Sequence, residues 1–142
     1  MGKYVSVPQV VLISCYELGH QPFGLASPMA WLSEAGAEVH CLDLSVEELN
    51  EHRICAAKLI AIYLPMHTAT RLAGRLVPRI KALNPSAHLC FYGLYAPLNE
   101  EYLRTELGAE TILGGEFESG LLSLYNRLSV KDRKSTRLNS SH

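Results

Sequence analysis

The sequence predicts an α/β domain built on one doubly wound, all-parallel sheet of five strands. Five short apolar runs recur along the chain, and segments with helical spacing of apolar residues separate them. The runs are nearly continuous rather than alternately apolar and polar, as strands covered on both faces require. A chain of 142 residues is one domain by length, with room for a core that needs no disulfide or metal staple.

The first strand is "QVVLISC", residues 9–15, almost wholly apolar and β-branched at its centre. "AEVHCLD" (37–43), "KLIAIYL" (58–64), "AHLCFYG" (87–93) and "ETILG" (110–114) follow it. Between the first two, "GLASPMAWLSEAG" (24–36) reads as a helix with Ser27 and Pro28 in its first turn, Leu25, Met29 and Leu32 on its apolar face, and Gly36 closing it. "SVEELNEHR" begins at the candidate N-cap Ser45, with acids in the turn that follows. In "MHTATRLAGRLVPRIKAL" the residues Ala69, Leu72, Ala73, Leu76, Val77, Ile80 and Leu83 form one stripe, which Pro78 should kink. "PLNEEYLRTEL" and "SGLLSLYNRL" complete the helices, the second with Leu121, Leu124, Tyr125 and Leu128 on one side. Parallel neighbours need right-handed, helix-length crossovers, so five such units give a flavodoxin-like (Rossmann-like) sheet of strand order 2-1-3-4-5.

Composition narrows the function. Hydrophobic residues make up 48% and charged residues 19%, values of an ordinary globular chain. With a net charge of -1 and scattered basic residues, there is no electrostatic footprint for nucleic acid. The N-terminal apolar run is too short for a membrane span and lacks the layout of a signal peptide, so a cytoplasmic location is expected. Cys15, Cys41, Cys55 and Cys90 lie far apart within or beside apolar segments and read as reduced. "KDRKSTRLNSSH" (131–142) has almost no apolar content and resembles a translated sequencing adapter. It is expected to be unstructured and foreign to the natural protein, which leaves residues 1–130 as the domain.

In a doubly wound sheet, ligands sit outside the carboxyl ends of the strands. The unusual residues of this chain collect there: "CYELGHQPFG" (15–24), "DLS" (43–45), "PMHTAT" (65–70), "GLYAPL" (93–98) and "GGEFE" (114–118). Gly114 and Gly115 together exceed what a turn needs and suit a close approach to the backbone. Several familiar chemistries are absent from these positions. Gly19 and Gly24 do not supply G-x-G-x-x-G. No hydroxyl-rich phosphate loop stands in "ELGHQPFG", and the third strand ends in Leu64 and Pro65 rather than a phosphoacceptor Asp. Cys15, His20 and His67 are the candidate metal ligands at this edge, but no pair has local ligand spacing. Cys15 with His20 is the candidate for nucleophilic chemistry in a small standalone enzyme.

From about Val10 to Leu128, the stretches "QPFGLASPMAWLSEAGAEVHCLDLS", "PMHTATRLAGRLVPRIKALNPSAHLCFYG" and "LGAETILGGEFESGLLSL" resemble the cobalamin (vitamin B12)-binding domain at the N-terminus of many radical S-adenosylmethionine proteins. They also resemble the subgroup whose distant C-terminus carries a cysteine or selenocysteine motif. The G-E-x-E turn, here Gly115, Glu116, Phe117 and Glu118, carries the resemblance only in series with the other stretches, since no single piece suffices. The resemblance implies a corrinoid against the carboxyl edge of the sheet, its nucleotide tail in a groove beside strands one, three, four and five. Carried over by position, Cys15, His20 and Gly24 lie along the first loop, and Thr68 offers a hydroxyl to the tail. Gly93 and Leu94 give main-chain contact, while Gly115 and Glu116 line the groove, Glu116 also capping the next helix.

The sequence departs from that pattern in two places. D-x-H-x-x-G is not supplied around His20, which lacks the matching Asp, and Leu94 stands where relatives have paired glycines. No C-x-x-x-C-x-x-C is present for an iron–sulfur cluster. The 4Fe-4S cluster and S-adenosylmethionine are therefore expected only in a missing downstream catalytic domain, the implied partner of a module not catalytic alone. The alternative is a cofactor-free, Rossmann-like interaction domain of the same ancestry.

Overall fold

A computed structural model describes residues 9–15 and 23–140, with side chains described for 9–15 and 24–130. Five strands, β1 (Gln9–Ser14), β2 (Glu38–Asp43), β3 (Leu59–Tyr63), β4 (His88–Tyr92) and β5 (Thr111–Leu113), form one sheet of order β2-β1-β3-β4-β5. All four pairings are parallel. This is the topology the strand–helix alternation predicts. Val10, Val11, Leu12 and Ile13 are wholly buried, since β1 lies inside the sheet and is covered on both faces.

The helices are α1 (Phe23–Glu34), α2 (Glu51–Ala56), α3 (His67–Leu83), α4 (Tyr95–Leu98), α5 (Glu100–Glu106) and α6 (Phe117–Ser140). Gly36, at φ 95°, ends α1 as expected: Ala37 N–H returns to the Leu32 carbonyl and Gly36 N–H to that of Ser33. On α3 the stripe Ala69, Thr70, Ala73, Val77 and Ile80 is buried, and the helix continues through Pro78. Asn84 follows it and donates to the carbonyls of Ile54 (2.8 Å) and Ala57 (2.9 Å), which joins the ends of α2 and α3.

Three expectations require correction. Ser45 is not an N-cap; its hydroxyl donates to Asp43 at 2.6 Å within a turn, and α2 starts later behind Asn50, whose side chain accepts from Arg53 N–H. The segment 97–107 is not one helix but α4 and α5 joined at Asn99, whose side chain donates to the Tyr95 carbonyl at 2.7 Å. Residues 131–140 are helical, because α6 runs to Ser140.

The two sheet faces differ. One is covered by α2, α3 and α5, with Val11, Ile13, Ile60, Ile62, Phe91 and Leu103 in its core. The other is covered by α1 and α6 and contains Val10, Leu12, Leu25, Leu32, Leu121 and Leu124. Among the described residues, no helix is long and apolar enough to cross a membrane.

Candidate functional site at the carboxyl edge of the sheet

Strand register sets the last row of residues on the α1/α6 face. Ser14 pairs with Tyr63, Tyr63 with Tyr92, and Tyr92 with Leu113. Side chains alternate along a strand, so Ser14 shares the face of Val10 and Leu12, as Tyr63 and Tyr92 share that of Ala61 and Cys90. Phe117, the first residue of α6, joins the two tyrosines: ring centroids are 5.3 Å apart for Tyr63–Tyr92, 5.9 Å for Tyr63–Phe117 and 4.8 Å for Tyr92–Phe117. Such tilted and edge-on contacts are favourable beyond area burial alone.

This aromatic cluster is locked to α1. A Cβ on Gly24 would overlap the Tyr63 ring, so glycine here admits a tyrosine of the chain itself. The Tyr92 hydroxyl donates to the Gly24 carbonyl at 2.6 Å. Burial holds that phenol well above its ordinary pKa, with Cys41, Cys90, Tyr63 and Glu118 adding to the effect, so it stays a neutral donor. Across the same gap Ser27 Oγ donates to Glu118 Oε2 at 2.8 Å, linking α1 to the first turn of α6. Beneath lies the buried Ser14, whose Oγ has no hydrogen-bond partner among the described residues.

The outer rim is different in character. Gly93 has φ 119°, and a Cβ there would lie 2.8 Å from the Leu64 carbonyl oxygen; its N–H donates to Leu113. Its glycine is therefore required by the backbone. Gly114 and Gly115 have ordinary φ values, and a Cβ on Gly115 would meet only Leu94 Cδ2, at 3.6 Å. Leu94 (69% exposed) and Leu98 (75%) flank α4 at its two ends; Leu94 lies beside Gly115, and Pro97 lies against Gly114, 3.3 Å from a Cβ there.

The structure separates the residues singled out in the sequence. Gly93, Leu94, Gly115 and Glu116 share the rim, with Glu116 exposed. Cys15 is buried on the opposite face, in the α2/α3 core, and burial pushes its thiol up to about 12, which removes it as a nucleophile near neutral pH. Thr68 is exposed in the first turn of α3, the helix that covers the face opposite the aromatic cluster. Gly24 is packed against Tyr63 rather than open to a ligand. His20 lies outside the described residues. Among the described residues, no three His, Cys, Asp or Glu side chains converge as a metal site.

Ser14, Ser27, Tyr63, Tyr92, Phe117 and Glu118 were not foreseen as a group. The available signal was two tyrosines, Tyr63 and Tyr92, at matching ends of the third and fourth strands. The burial of their rings depends on α1 approaching closely at Gly24, a contact between distant segments.

Comparison with known proteins places the fold. No protein-family model matches the sequence, nor does any curated protein. Among solved structures, the chain is similar to a CheY-like response regulator receiver domain from Methanospirillum hungatei JF-1, with 14% identity, TM-score 0.62, and coverage of 91% of this chain and 99% of that one. A flavodoxin-like domain from Synechococcus sp. is similar at 15% identity and TM-score 0.60, over 91% and 99% of the two chains. So is a response regulator from Burkholderia pseudomallei with a phosphorylated aspartic acid, a calcium ion and citrate, at 18% identity and TM-score 0.60, over 93% and 75%. At these identities the likeness shows a flavodoxin-like, CheY-like fold.

Proposed function

We propose that this domain is the corrinoid-binding module of a longer radical S-adenosylmethionine enzyme, offering the carboxyl rim of its sheet to the face of the ring. The observation that carries this reading is the exposed apolar surface of Leu94 and Leu98 on the rim that holds the exposed Gly115. A broad, flat ring with a partly apolar face gains by covering such a surface, and Gly115 lets it approach the main chain. The module supplies binding and orientation; when bound, the corrinoid supplies methyl or radical transfer chemistry with the downstream domain. Tyr63, Tyr92 and Phe117 stack together at that edge, which leaves less room for a nucleotide tail beside them.

That crowded edge favours a second reading, in which the same surface docks a partner domain and no cofactor binds. Titration of the chain with hydroxocobalamin separates the two. The first predicts a saturable shift of the corrin absorption bands that Gly115→Trp abolishes while leaving the circular dichroism unchanged. A spectrum that does not move at any concentration overturns it in favour of the second.

A further inference from the structure

We propose that two copies of this chain pair across α3 and α5, each laying its row of arginines against the glutamates of the other. This surface is separate from the carboxyl rim, and the pairing does not depend on what the rim binds.

α3 carries Arg71, Arg75, Arg79 and Lys81 and no acid, while α5 sets Glu100, Glu101 and Glu106 against Arg104. Some of these groups are used within the chain: Arg79 pairs with Glu51 at 2.6 Å, Arg104 pairs with Glu100 at 2.9 Å, and Lys81 reaches the Gly108 carbonyl at 3.5 Å. Arg71, Arg75, Glu101 and Glu106 are exposed, and among the described residues their charged groups have no ion-pair or hydrogen-bond partner. Cations are thus left over on one helix and anions on its neighbour.

The geometry makes this patch complementary to itself. α3 and α5 each follow a strand of the same parallel sheet, so they run side by side in one direction. Gly74 lies against the Tyr102 hydroxyl, and further along Lys81 meets Gly108, which keeps the two helices in step. On that register Arg71 is level with Glu101, and Arg75 with Glu106, to within about 5 Å at the helical rise per residue, less than the reach of an arginine side chain. A two-fold axis along the groove between the helices lays α3 of each copy over α5 of the other at the same level. The leftover cations then face the leftover anions, and the contact repeats across the axis, as an isologous interface requires. Laying α3 on α3 would instead set arginine against arginine. Tyr102, 40% exposed, lies beside the groove and adds apolar contact. Exposed ion pairs contribute little each, so the pairing is weak and strongest at low salt.

Analytical ultracentrifugation of the whole chain tests this. The expected result is a reversible dimer at about 20 mM salt, with a dissociation constant at least about tenfold higher at about 0.5 M salt. Arg71→Glu/Arg75→Glu and Glu101→Arg/Glu106→Arg should each be monomeric at low salt with unchanged circular dichroism. The chain carrying all four reversals has the net charge of the wild type and should dimerise again. Arg75→Ala, a milder change, should weaken the dimer about threefold or more, and an unchanged constant would overturn the inference. So would a wild-type chain that stays monomeric at low salt up to about 1 mM, which leaves these charges to a different partner. A dimer indifferent to salt and to the reversals, or a folded fourfold variant that stays monomeric, would overturn it equally.

Discussion

The two faces of the sheet end differently at their carboxyl edge. Under α2, α3 and α5 the core stays apolar to the last turn, closing with Ile62, Leu64, Phe91 and Ala96, all wholly buried. Under α1 and α6 the aliphatic core of Val10, Leu12, Leu59 and Ala61 gives way to Ser14, Tyr63 and Tyr92. Buried hydroxyls cost free energy unless hydrogen bonded, and aromatic rings at a rim stabilise less than rings at a centre. The two faces therefore differ at the rim: the first stays tightly packed to its end, while the second ends in the half-buried rings of Tyr63 and Phe117 and the unpartnered Ser14 hydroxyl.

Substitutions of matched size sharpen that contrast. Phe91→Ala, in the wholly buried α3-side core, should cost about 3–5 kcal/mol in chemical denaturation. Phe117→Ala, at the half-buried rim, should cost only about 1–2 kcal/mol. Equal losses would mean that both faces carry stability alike. The next effect in size comes from two glycines. Gly24→Ala pushes into the Tyr63 ring, and overpacking of about 1–3 kcal/mol outweighs the gain of up to about 1 kcal/mol in helix propensity. Gly115→Ala meets only ordinary contact with Leu94 and should shift stability by no more than about 0.5 kcal/mol. A Gly24→Ala variant as stable as wild type would show that Tyr63 does not rest against α1.

The frame was legible in the sequence because each part of it rests on local patterning. Continuous β-branched runs, the stripe along α3 and the glycine after α1 are each determined by neighbours within a few residues. The start of α2 was misread because Ser45 and Asn50 are both competent caps; the carboxylate of Asp43, two residues before Ser45, captured its hydroxyl. Of the residues proposed for the site, Gly93, Leu94, Gly115 and Glu116 come together because short strand-to-helix turns fix them at one edge. Cys15 and Thr68 do not join the α1/α6 crevice: Cys15 follows Ser14 on the alternate face of β1, and Thr68 belongs to the layer that covers that face. The aromatic plug was not legible because it needs residues 24, 63, 92 and 117 to meet in space.

The claim beneath all of this is that the Tyr63 ring sits in the niche left by the absent side chain of Gly24. Two-dimensional proton NMR reads it directly through nuclear Overhauser contacts between the Gly24 α-protons and the Tyr63 ring. Strong cross-peaks, with α-protons displaced by the ring current, are the predicted result. No cross-peaks, with Gly24 α-protons at ordinary shifts, would mean that the crevice stands open and would contradict the account.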